Sequence, residues 1–177
     1  MSSSMSPRAV AASYPSIVAC LLERLGYGRP RAESHGSFAC LALGPVGRSH
    51  FGIVAAPSAP SGRLLQAARG WLRRQACPAM LAVIYPSGGD CTPRAHLIWR
   101  RSDFAAEVPD ARLTVSEEGG IGFLGADGGG VAVCTTCSTY CVGWYSEAAD
   151  LQAAFAAGTA AWAAARADAG LMTEEVA

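Results

Sequence analysis

Residues 61–85 read SGRLLQAARGWLRRQACPAMLAVIY, two segments of opposite character separated by a proline. In residues 61–75, Leu64, Leu65, Ala68, Trp71 and Leu72 recur at helical spacing. At 100° per residue, Arg63, Arg69, Arg73 and Arg74 then project from the opposite side, which predicts an amphipathic helix. Pro78 closes it. Residues 79–85 form a continuous apolar run bounded by Pro86-Ser87-Gly88-Gly89, the pattern of a strand covered on both faces.

Working outward, Ile17, Val18, Leu21, Leu22 and Leu25 form a one-sided stripe over residues 16–25 that ends at Gly26 and Gly28, a first helix. Residues 38–43 and 49–56 read as strands joined by Gly44-Pro45-Val46-Gly47, with Pro57 and Pro60 ending the second. Downstream, strands are expected at 94–101, 112–116 and 121–124, followed by a turn at Gly128-Gly129-Gly130. The Val, Thr, Tyr and Trp content of 131–145 predicts an extended run. Ser146 then caps a last helix over 147–169, with Glu147 and Asp150 in its first turn and Leu151, Phe155 and Trp162 on its buried side, stopping at Gly170.

The fold class expected is α/β or α+β. It consists of one domain over residues 15–170, with a mixed central sheet flanked by helices in the order α-β-β-α-β-β-(β)n-α. Residues 1–14 are expected to be a disordered tail and 171–177 a frayed one. The chain has 177 residues, of which 51% are hydrophobic, enough for one real core. No window offers the roughly 18 uninterrupted apolar residues of a membrane span, and no export signal is visible. Seven cysteines without an export signal fit a reducing compartment, so a cytoplasmic protein is expected.

The net charge of zero conceals polarity. Residues 1–101 carry twelve Arg against Glu23, Glu33 and Asp90, a net +9, while 102–177 carry Arg112 and Arg166 against eleven carboxylates, a net −9. The chain contains no lysine, which excludes a P-loop lysine, a Schiff-base amine and a lysine general base.

Cys134, Cys137 and Cys141 form C-x2-C-x3-C, a spacing that three thiolate ligands of zinc or an iron–sulfur cluster could use. The intervening Thr135-Thr136 and Ser138-Thr139-Tyr140 are strand formers with no turn residue among them. In a strand, period two separates Cys134 from the other two, so no cofactor is expected and metal binding is the alternative. Val133 to Tyr140 is similar to the metal claw of nitrile hydratase alpha chains, V-C-T-x-C-S-C, with Thr139 in place of the third thiolate. His35, His50 and His96 are scattered along the chain. A nucleophilic site would need Cys77 or Cys91 beside His96 and Asp103, which sequence distance cannot establish.

The arginines carry more. Arg63, Arg69, Arg73 and Arg74 are joined by Arg94, Arg100 and Arg101, and Asp90 is the sole acid between residues 63 and 101. Such a patch suits phosphate contacts, which give affinity and orientation without reading sequence. The bland reading is a solvated helix face balanced by the acidic third of the chain.

Two stretches resemble the restriction-endonuclease-like PD-(D/E)xK superfamily. Leu21-Leu22-Glu23-Arg24-Leu25-Gly26-Tyr27, followed by Glu33 and a hairpin, is similar to its opening helix and acidic residue. The helix at Leu64, the run Cys77 to Pro86 and Leu97-Ile98-Trp99 are similar to its core helix, following strand and Trp-bearing strand. The catalytic pattern is absent: His50-Phe51 stands where the first acid belongs and Ala55-Ala56-Pro57 where (D/E)xK belongs. Glu33 alone carries over. The resemblance also implies one more strand ahead of the core helix than the sequence pattern offers.

Three functions follow as expectations. The first is a non-catalytic binding module, derived from a nuclease-like scaffold, holding nucleic acid or an acidic protein surface on its arginines. The second is a metalloprotein built on Cys134, Cys137 and Cys141. The third is a structural subunit, a homo-oligomer associating through its oppositely charged regions.

Overall fold

Along Ala79–Ser87, successive side chains enter two separate apolar layers. Met80, Ala82 and Ile84 join one and Leu81, Val83 and Tyr85 the other, all at most 7% exposed, as period two requires of a strand sandwiched between helices. The computed structural model of the protein describes residues 13–27, 31–35, 38–46, 49–76, 79–88, 92–102, 104–115, 120–126, 130–133, 142–145 and 151–175. In chain order the elements are α1 (Tyr14–Arg24), β1 (Arg31–His35), β2 (Phe38–Val46), β3 (Ser49–Ala55), α2 (Gly62–Arg74), β4 (Ala79–Ser87) and β5 (Thr92–Arg101). They continue with β6 (Phe104–Val115), β7 (Ile121–Leu124), β8 (Gly130–Val133), β9 (Val142–Tyr145) and α3 (Leu151–Glu175).

The nine strands form one sheet in their order along the chain. Every neighbouring pair is antiparallel except β3 and β4, which run parallel. A parallel pair needs a crossover, and α2 provides it. The result is the mixed α/β single domain that the periodicities predict.

α2 covers one face through Ala68, Trp71 and Leu72, packed on Leu81, Val83, Tyr85 and Ile98. Its N-terminus is capped by Ser61, whose hydroxyl accepts a hydrogen bond from the Leu64 amide at 3.2 Å. α1 and α3 lie together over the other face, α1 through Ile17, Leu21 and Leu22 and α3 through Trp162, Ala165 and Ala169. The Tyr14 and Trp162 rings meet at 5.0 Å, and Arg24 Nε donates to Asp168 Oδ2 at 2.7 Å. The Tyr27 hydroxyl accepts from the Ile121 amide at 3.0 Å and ties the exit of α1 to β7.

Several boundaries differ from expectation. Tyr14, read as tail, is fully buried in the first turn of α1, whose start is eased by a proline in that turn. α3 runs on to Glu175, past the expected stop at Gly170, and residues 146–150 with the expected cap lie outside the described residues. β1 was not anticipated, because Arg-Ala-Glu-Ser-His has neither apolar alternation nor strand-favouring composition. β6 begins at Phe104, eight residues before the expected strand. Pro109 and Asp110 hide its first half, and the structure absorbs them in a bulge: Ala95 pairs with Ala111 but Leu97 with Val108. Asp110 takes φ +57° there, a left-handed conformation that aspartate tolerates better than most residues.

The expectation of one extended run over 131–145 is also corrected. β8 and β9 are antiparallel with Val133 opposite Val142, so the chain reverses between them. Cys134, Cys137 and Cys141 lie between these two strands, outside the described residues.

Candidate functional site

On the α2 face the sheet extends beyond the helix, and β5 and β6 present a row of polar residues there. Ile98 lies under α2, so the residues two before and two after it, His96 and Arg100, share that face by strand period. Glu107 pairs with Ile98 across the β5–β6 ladder and so joins them. From α2, Arg69 grips Glu107 with both donor positions: Nε bonds Oε1 and Nη2 donates to Oε2 at 2.9 Å. His96 Nε2 stands 2.9 Å from the same Oε2. The Arg69 hydrogen bonds hold the Glu107 carboxyl down at about 2; burial opposes this and the His96 contact reinforces it.

A second cluster sits at the bulge. The Tyr85 hydroxyl donates to Asp110 Oδ1 at 3.3 Å, with Arg94 Nε 3.8 Å from that oxygen. Burial, and then the Asp110 charge, push the Tyr85 phenol above its ordinary value. Between α2 and the β5–β6 strands lies a hollow of about 420 Å³, bordered by Arg69 and Arg73 of α2, Ile98 and Arg100 of β5 and Ala106 and Glu107 of β6. Arg100 Nη1 donates to the Arg73 carbonyl at 3.1 Å, which fixes the C-terminal end of α2 to β5.

The seven arginines singled out from the sequence thus separate. Arg69 and Arg94 are paired with Glu107 and Asp110. Arg69 does not point away from the sheet, as the helical projection implied, but lies at the flank of α2 and reaches β6. Arg63, Arg73 and Arg74 are exposed, and no carboxylate among the described residues pairs with them. Arg100 borders the hollow beside Arg73. Arg101 ends β5, opposite Phe104.

Other candidates do not converge. Cys77, Cys91 and Asp103 lie outside the described residues, and His96 takes Glu107 as its acidic neighbour. Glu33 stands in β1 opposite Cys40, and His50 in β3 opposite Ala79. Among the described residues no three His, Cys, Asp or Glu side chains gather as a metal site, and no helix is long and apolar enough to cross a membrane. Glu107 lies outside the strand that the sequence pattern places at 112–116: Phe-Ala-Ala-Glu-Val over 104–108 carries no clear alternation, and Pro109 reads as a strand breaker.

No protein-family model, no curated protein and no solved structure matches this chain.

Proposed function

We propose that this protein is a non-catalytic binding module that holds the phosphate backbone of nucleic acid along α2 and the adjoining end of β5. The observation that carries the reading is how the arginines are partnered. Carboxylates of residues 102–177 pair with Arg24, Arg69 and Arg94, while Arg63, Arg73 and Arg74 on α2 remain exposed without an acidic partner among the described residues. Guanidinium groups at such positions suit phosphate, since each presents several donors in a planar fork.

A nuclease-like ancestry rests on the resemblance of residues 21–27 and 64–99 alone. Cutting is not part of the proposal. The positions of the catalytic pattern carry His50-Phe51 and Ala55-Ala56-Pro57, and no lysine exists in the chain.

Fluorescence anisotropy with labelled duplexes of unrelated sequence, titrated at several salt concentrations, tests this. Wild type is expected to bind all of them alike. Changing Arg63, Arg73 and Arg74 together to Gln should weaken every duplex about equally and reduce the magnitude of the salt slope by roughly 2 to 3, one counterion release for each lost phosphate contact. Unchanged affinity with unchanged slope would defeat the reading. Binding to polyglutamate but not to DNA would replace nucleic acid by an acidic protein.

A further inference from the structure

On the sheet face opposite α2, a pocket of about 210 Å³ lies between α3 and the β5–β6 strands. Leu113, Phe155 and Trp162 are among its walls, with Thr159 and Arg166 also lining it. An apolar cavity of roughly 150 Å³ accepts benzene, so this one has room for a single ring with a small substituent.

Two guanidinium groups make it more than an apolar hollow. Arg166 is half-buried, and no carboxylate among the described residues pairs with it. Trp162 is 4% exposed, and its indole N–H has no hydrogen-bond partner among the described residues. Arg112 lies with its guanidinium 5.4 Å from the centre of the Phe155 ring. Arg112 and Arg166 are the two basic residues, histidine aside, in residues 102–177, a region with eleven carboxylates. Arg166 lines the pocket and Arg112 lies over the Phe155 ring, one of its walls; neither pairs with a described carboxylate.

We infer that the pocket binds a small aromatic carboxylate, its ring held among Leu113, Phe155 and Trp162 and its carboxylate on Arg166. The ring walls favour a flat apolar body, and the guanidinium selects an anion over a neutral molecule of the same shape. This site is independent of the nucleic-acid reading, since it uses neither α2 nor its arginines.

Calorimetric titration of the full chain with benzoate, and with benzyl alcohol as its neutral counterpart, is the test. Benzoate is expected to bind one per chain with Kd of about 1 mM or tighter and to be preferred about tenfold over the alcohol. Arg166→Gln should abolish the preference, and Arg166→Lys should restore most of it. Thermal melting of the variants confirms that they fold. No heat with benzoate, or a preference that Arg166→Gln leaves intact, overturns the assignment.

Discussion

Glu107 is one carboxylate held by two elements at once, by Arg69 from α2 and by His96 from the neighbouring strand. Because its folded-state pKa of about 2 lies below the ordinary 4.5, the contribution of the charged form is fully present above pH 4.5 and is lost as pH falls towards 2. Glu107→Gln should therefore flatten the acid limb of the stability profile across that window. Urea midpoints measured from pH 6 downward, as rough spacing allows, check this. A variant that loses stability on acidification as steeply as the parent would show that another group governs the limb. At this scale the sequence is legible only in part. Arg69 and His96 are visible as residues worth noting, but what joins them is a glutamate in a half-strand concealed by Pro109 and Asp110.

Elements fared better where burial is two-sided or the amphipathic contrast is strong. α2 and β4 were readable because fifteen residues of helical stripe are followed by an unbroken apolar run, and neither pattern suits another structure. β1 was not, being a polar strand specified by pairing with β2 and not by its own composition. The seating of α3 on β6 depends on a residue whose role no periodicity reveals. A Cβ on Gly158 would stand 2.7 Å from the Leu113 carbonyl oxygen and 2.9 Å from the Thr114 Cα, both backbone atoms that cannot rotate aside. Gly158→Ala should destabilise the protein by about 1 to 3 kcal/mol, even though alanine is the better helix former by about 1 kcal/mol. Gly170, in the same helix, has open space around its Cβ position. Gly170→Ala should accordingly stabilise by up to about 1 kcal/mol. Paired denaturation curves decide it, and two variants moving in the same direction would contradict the close approach of α3 to β6.

For the molecule as a whole, the +9 and −9 regions are folded against each other in part. Arg24–Asp168, Arg69–Glu107 and Arg94–Asp110 each join a base of residues 1–101 to an acid of residues 102–177 within one chain. Intramolecular pairing of this kind weakens the case for self-association through charge. Gel filtration is expected to give the same elution volume at low and high salt. A larger species at low salt that dissociates at high salt would restore the assembly reading. The overall polarity was evident from composition, whereas its internal resolution was not, since which arginine meets which acid depends on register and on a bulge.

The packing of α1 on α3 has a kinetic side. Each strand pairs with its neighbour in sequence, so most of the sheet closes through short connections, whereas Arg24 and Asp168 meet across 144 residues. In an otherwise unstructured chain, closing a loop of that length costs roughly 4 kcal/mol of entropy, against roughly 1.4 for five residues. The α1–α3 contact is therefore expected to form after the local strand pairings. Changes at the Tyr14–Trp162 contact should then act chiefly on the rate of unfolding and leave the rate of folding almost unaltered.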